Sequence, residues 1–251
     1  MTELPTTEIC EKIAKFRKIY CLGETGEDGE LININYTEND LFTINNIDYV
    51  FSPYGMSNKK QGWCGSSSPN KYDKIMKFSS SMNKNIYTTD DHRYWDMSDG
   101  NGFLLDEYNY SDSLSITMKI FKLSITDEIA LFDNFLLGDD IVRAQMESIP
   151  KKNLSYHFQI GSGINSGNMQ ILPNLWNVVT YQAQNNLSSF YRNASISLKG
   201  TINNFPINQS KIIFGTDRNG FGDGYYIESI VIGKYLDETN VKNLHNLLGF
   251  G

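Results

Sequence analysis

Cysteine is scarce in this sequence of 251 residues: there are three, and Cys10, Cys21 and Cys64 all fall in the first quarter of the chain. An odd set gathered at one end is poor material for a disulfide framework, so free thiols are expected. Long apolar runs are missing too. No stretch approaches the length of a membrane-spanning helix, and Met1-Thr2-Glu3-Leu4-Pro5 opens no basic segment followed by an apolar one. The expectation is a chain made and folded in a reducing cytoplasm, without membrane insertion. Basic stripes are also lacking. The formal net charge is -7, whereas phosphate backbones are held by clustered Lys and Arg, so nucleic acid is not expected as a partner.

Catalytic patterns are equally thin. Hydrolysis of a glycosidic bond needs two carboxylates at a fixed separation, yet no Glu-x-Asp-x-Glu occurs, and the acidic clusters at Glu24 to Glu30 and Asp139-Asp140 sit in turn-like sequence. Gly161-Ser162-Gly163 lacks the flanking pattern of a nucleophile elbow. The three histidines, His92, His157 and His245, are too scattered to suggest a triad or a zinc site. His157 and His245 are expected to be structural, and the chain is expected not to be an enzyme.

What the sequence does hold is strand-forming. Aromatics make up 13% of the chain, with 15 Tyr, a composition that suits strands and binding surfaces. Asn, Ser, Gly and Asp recur between short apolar runs, as turn-dense all-β proteins require. Ser113 to Ile120 alternates cleanly, with Leu114, Ile116, Met118 and Ile120 facing one way. Ile47 to Phe51, Lys74 to Phe78, Asn85 to Thr89, Glu128 to Phe132 and Leu154 to Ile160 continue the series. Trp176, Phe158, Ile116 and Phe214 are expected in the core. Near the C-terminus, Asp237 reads as a helix N-cap, Val241, Leu244 and Leu248 as the inward stripe, and Gly249 as the stop. At the other end, residues 7–21 read as an amphipathic helix that starts at Thr7 and carries Ile9, Ile13, Phe16 and Tyr20 on one face. Two partners suit that stripe: its own sandwich, or other chains of an assembly.

The order of elements after Asn174 carries a resemblance. Asn174 to Tyr181 is a Trp strand, Ser189 to Ile196 a strand entering a polar turn, Lys211 to Gly215 an apolar strand ending in Gly, and Tyr225 to Gly233 an aromatic-led strand before the closing helix. This order resembles the concanavalin A-like lectin/glucanase superfamily, and its laminin G-like members most of all, over about the last 180 residues. The resemblance implies an all-β fold: a two-sheet antiparallel jelly-roll sandwich over residues 71–251, preceded by an extension over residues 1–70. Within it, Lys74 to Phe78 and Asn85 to Thr89 would form the opening hairpin. The whole layout resembles accessory structural proteins of tailed bacteriophages. It implies a virion protein, homo-oligomeric among other virion proteins, that displays a lectin-like sandwich for a host-surface glycan or protein. An intracellular carbohydrate- or protein-binding module is the alternative, and a glycoside hydrolase the third.

Two loops carry candidate sites. Residues 90–103 read as a long polar loop in which Tyr94 and Trp95 could stack on a sugar while Asp96, Asp99 and Asn101 take its hydroxyls. The plainer alternative is that Trp95 plugs the edge of the sandwich. Asp217 to Glu228 nearly fits a calcium loop, with Asp217, Asn219, Asp223 and Glu228 as oxygen ligands, but position five is Phe221 and the flanks read as strands. A Gly-rich connection between strands explains the same residues without metal.

Overall fold

The computed structural model describes residues 24–25, 31–32, 38–52, 62–67, 74–78, 86–88, 92–97, 102–105, 108, 113–122, 129–133, 142–148, 154–160, 163–168, 174–201, 212–215 and 225–250. Strands β1 (Glu24–Thr25) and β2 (Leu31–Ile32) form a small antiparallel ribbon of their own. The sandwich follows with β3 (Ile47–Phe51), β4 (Gly62–Ser66), β5 (Lys74–Phe78), β6 (Ile86–Thr88), β7 (Arg93–Asp96) and β8 (Phe103–Leu105). After these come β9 (Ser113–Lys122), β10 (Ile129–Asp133), β11 (Val142–Ser148), β12 (Leu154–Ile160), β13 (Gly163–Asn168) and β14 (Trp176–Gln184). The series ends with β15 (Leu187–Arg192), β16 (Ser195–Thr201), β17 (Ile212–Phe214) and β18 (Tyr225–Gly233). A single helical turn, α1 (Glu38–Leu41), precedes β3, and the helix α2 (Glu238–Leu248) follows β18.

Hydrogen bonding runs in the order β13-β12-β11-β10-β17-β8-β5-β4-β3-β18-β9-β14-β15-β16, with β7 beside β18 and β6 beside β7. The ribbon doubles back on itself, so that Phe132 of β10 meets Tyr181 of β14 edge to face at 5.6 Å. Its two end strands, β13 and β16, come within 8 Å between Cα atoms. The result is the pair of packed antiparallel layers expected from the sequence. On the inner face, Leu114, Ile116 and Met118 of β9 pair with Ala183, Tyr181 and Val179 of β14. All six are buried, and each of the aliphatic side chains stabilises the fold by about 1.5–3 kcal/mol.

The outer face of the same layer is covered as well. Helix α2 begins where the Asp237 carboxylate accepts the Asn240 N–H at 2.8 Å, and stops at Gly249, whose φ of 71° is left-handed. It lays Val241, Leu244 and Leu248 against Val178, Tyr191 and Val231, together with Leu41, Ile44 and Val50. Residues 38–52 and 62–66, assigned from sequence to an extension outside the sandwich, are therefore part of it. β3 pairs with β18 and β4 with β5. The chain joins the sandwich well before Lys71, because α2 and β18 need Leu41, Ile44 and Val50 to complete their apolar contacts. The expected opening hairpin is corrected too: β5 pairs with β4 and β8, while β6 pairs with β7. The partners of β5 bury Met76 fully. The expected helix over residues 7–21 lies outside the described residues.

One glycine is dictated by close approach. A Cβ on Gly233 would stand 2.0 Å from the carbonyl oxygen of Asn46, which accepts the Lys234 N–H at 2.8 Å. Helix α2 is then tied to the sheet by Gln182, whose Oε1 accepts the Leu236 N–H and whose Nε2 donates to the Leu236 carbonyl, both at 2.9 Å. Gln182→Ala leaves both buried backbone groups without partners. It is expected to cost about 2–3 kcal/mol in urea denaturation. A cost below about 0.5 kcal/mol would show that the link carries no load.

Candidate functional site

Four neighbouring strands, β7, β18, β9 and β14, each place one aromatic side chain on the outer face beside α2. Alternation decides which: Trp95, Ile227 and Ile120 point inward, so Tyr94, Tyr226 and Phe121 point outward. Register then aligns them. Tyr226 pairs with Phe121, and Phe121 pairs with Trp176, giving an aromatic row that closes on itself, since the Tyr94 ring also lies 5.8 Å from that of Trp176. Tyr94 stacks on Tyr226 at 4.5 Å, Tyr226 on Phe121 at 5.9 Å, and Phe121 meets Trp176 at 5.4 Å. Tyr94, Tyr226 and Phe121 are partly exposed, whereas Trp176 keeps only 8% of its surface.

A charged cluster explains why Trp176 is covered. The register of β18 against β9 shifts between Ile227 and Ser229, and this irregularity places Glu228 at an extra position beside Lys119. Lys119 Nζ lies 2.8 Å from Glu228 Oε1, donates to the Leu248 carbonyl at 2.8 Å, and stands 5.6 Å over the Trp176 ring. His92 Nδ1 bonds the other carboxylate oxygen at 2.5 Å, and the His92 ring lies 4.5 Å from that of Trp176. A carboxylate only accepts, so Nδ1 carries the proton of the His92–Glu228 bond. The Glu228 side chain is 1% exposed. Asp96 shares the outer face of β7 with Tyr94, pairs with Tyr226, and is partly exposed.

Of the residues selected from sequence as sugar contacts, the structure brings Tyr94 and Asp96 to this row. Trp95 does not join them. Residues 93–96 form a strand rather than a loop, and its alternation sends Trp95 into the interior, fully buried, at 5.0 Å from Phe103. It offers no face to a sugar. Asp99 and Asn101 lie outside the described residues. Glu228 is corrected as a calcium ligand: both its oxygens already bond cationic or N–H groups inside a strand. Asp217, Asn219 and Asp223, and the stripe of Ile9, Ile13, Phe16 and Tyr20, lie outside the described residues. Among the described residues, no three His, Cys, Asp or Glu side chains are placed to hold a metal ion. His92, Lys119, Phe121 and Tyr226 were missed from sequence, and Trp176 was assigned to the interior. It is buried, but on the outer face.

No protein-family model matches the chain, and no curated protein matches its sequence. Solved structures do match its fold. The botulinum neurotoxin serotype D binding domain is 15% identical with a TM-score of 0.59, over 82% of this chain and 52% of that one. Domain 4 of an extracellular GH43 arabinanase from Geobacillus stearothermophilus, solved in complex with arabinotriose, is 12% identical with a TM-score of 0.63, over 80% of this chain and 98% of that one. A mutant Trypanosoma rangeli sialidase displaying trans-sialidase activity is 11% identical with a TM-score of 0.59, over 96% of this chain and 38% of that one. The chain thus spans about half of the toxin binding domain and nearly all of the arabinanase domain. At these identities the likeness is one of fold.

Proposed function

We propose that the protein is a glycan-binding module that works without catalysis, with the row of Tyr94, Tyr226 and Phe121 as its sugar platform. The observation that carries this reading is the row itself: partly exposed rings gathered from adjacent strands and held together by their mutual contacts and by Trp176. Aromatic faces pack on the apolar faces of sugar rings, and polar groups beside them take hydroxyls. Asp96 on β7 supplies a carboxylate at the edge of the row. The fold neighbour solved with arabinotriose supports the same class of ligand. Trp176, Lys119, Glu228 and His92 brace it from beside on the same face.

Tyr94→Ala and Tyr226→Ala are each expected to weaken binding to the glycans retained on an array by about tenfold, the loss of one stacked aromatic contact, while leaving the circular dichroism spectrum unchanged. Incubation with the same glycans is expected to release no reducing ends. Retention of full affinity by both variants would remove the row as the platform. The finer placement, on a tailed-bacteriophage particle as part of a homo-oligomeric assembly contacting the host surface, rests on the sequence layout alone. Co-sedimentation of the chain with purified particles tests it.

A further inference from the structure

His92 stands immediately ahead of β7, on the outer face that Tyr94 and Asp96 share by alternation. Its ring lies 4.5 Å from that of Trp176, and the Tyr94 ring lies 5.8 Å from the same indole. His92 therefore borders the aromatic row as well as covering Trp176. In extended chain, which rises about 3.3 Å per residue, His92 and Asp96 each stand about 7 Å from Tyr94, one on either side.

The ring is held in one orientation. Nδ1 lies 2.5 Å from Glu228 Oε2 and carries the proton of that bond. The two nitrogens of an imidazole are distinct, and the bond that one makes decides what the other can do. With the proton on Nδ1, Nε2 of the neutral ring is an acceptor. Glu228 takes the Lys119 ammonium on its other oxygen at 2.8 Å, so the carboxylate that sets the tautomer is itself fixed. The Glu228 side chain is 1% exposed and Trp176 8%, whereas the His92 side chain keeps 26%. What His92 shows to solvent is therefore the part of the ring turned away from both, the side that carries Nε2.

We propose that His92 is a sugar-contacting residue of the glycan site, accepting at Nε2 a hydroxyl of the sugar unit held against Tyr94. The inference rests on the reading of the aromatic row as a sugar platform, and it adds to that platform the direction of one hydrogen bond. Stacked rings hold a sugar face without distinguishing its hydroxyls, whereas an acceptor fixed at the edge of the row selects for a hydroxyl at the matching ring position. An analogue lacking that hydroxyl leaves the acceptor unpaired and is rejected. The class of ligand is then a sugar whose hydroxyl at this position is free, neither acylated nor removed. Glu228 acts through His92 and is a positioning residue.

Diethyl pyrocarbonate, which acylates the bare nitrogen of accessible histidines, tests access to Nε2 without any glycan. Peptide mass spectrometry of the folded full chain is expected to find His92 modified and His245, whose side chain is buried, unmodified. A His92 that reacts only after unfolding would overturn the proposal. The contact itself is read in long-range 1H–15N spectra of the chain labelled with 15N-histidine, the His92 signals being identified by their loss in His92→Phe. The oligosaccharide that a glycan array retains most strongly, added free, is expected to shift Nε2 of His92 more than Nδ1. His92→Phe keeps a ring on Trp176 and is expected to weaken binding of that oligosaccharide about tenfold, the loss of one hydrogen bond. If this variant does not fold, protection of His92 from diethyl pyrocarbonate by the same oligosaccharide in wild type replaces it. Should Tyr94→Ala weaken binding while Nε2 stays in place and His92→Phe, or the missing protection, shows no effect, the platform stands and the His92 contact falls. Should Tyr94→Ala and Tyr226→Ala bind as wild type does, the platform falls, and this contact with it.

Discussion

Acidification from pH 6.5 to pH 5 is expected to remove about 2 kcal/mol of stability through one side chain, His245. The imidazole sits on the buried face of α2, where Nδ1 accepts the Ala194 N–H at 2.9 Å and Nε2 lies 2.7 Å from Thr180 Oγ1. A backbone N–H only donates, so Nδ1 is bare and Nε2 carries the proton. Thr180 then passes its own hydroxyl proton to Thr117, 2.6 Å away. Protonating Nδ1 would break the bond to the turn and charge a buried ring, and burial pushes the His245 pKa down to about 3. The unfolded chain takes up this proton near pH 6.5, and the folded chain only near pH 3. The stabilisation is therefore complete above pH 6.5, falls by about 1.4 kcal/mol per pH unit below it, and is lost by pH 3, where it sums to on the order of 4–5 kcal/mol. Urea denaturation of wild type and His245→Gln at pH 6.5 and pH 5, above most carboxylate titrations, isolates the effect. His92 and His157 contribute alike to both proteins. Parallel pH dependence in the two would refute the assignment.

That helix was legible from its ends inward, while the sheet under it was not. Asp237, Gly249 and the spacing of Val241, Leu244 and Leu248 are local signals, and the structure bears each out. Leu114 to Ile120 was legible for a similar reason, since one face holds apolar residues and the other holds Ser115, Thr117 and Lys119. Trp176 to Tyr181 has apolar side chains at 176, 178, 179 and 181. Both faces of β14 are buried, one by the facing layer and one by α2, so a period of two is erased and the direction of Trp176 cannot be read. β4 was hidden differently. Gly62-Trp63-Cys64-Gly65-Ser66 has little strand propensity, but the Phe51 ring lies where a Cβ on Gly65 would stand, 2.3 Å from it. The aromatic row was out of reach of local reasoning, because Tyr94, Phe121, Trp176 and Tyr226 come from four strands aligned only by long-range register. A strongly amphipathic β9 did place Phe121 opposite Ile120, and that was the one available hint.

Lys119→Met is expected to cost about 3–5 kcal/mol, the largest loss from any single polar substitution in this face. The Lys119 side chain is 7% exposed and the Glu228 side chain 1%, with 2.8 Å between them. Removing the ammonium leaves a buried carboxylate whose remaining bond is to His92, and it also orphans the Leu248 carbonyl at the end of α2. The register irregularity of β18 holds Glu228 in place with its side chain 1% exposed, so the stranded carboxylate stays desolvated. The double variant Lys119→Met with Glu228→Gln removes both charges together. Its loss should be well under that of the single variant, since a neutral pair no longer strands a buried ion. Urea denaturation of wild type, both singles and the double variant closes the cycle. Additive losses, or a Lys119→Met cost below about 1 kcal/mol, would mean that water reaches Glu228 and that the charges do not brace the row. If the coupling is found, the same cycle read by glycan affinity separates bracing from contact. Lys119→Met should weaken binding through Trp176, over which the ammonium stands, only as far as it loosens Phe121 and Tyr226.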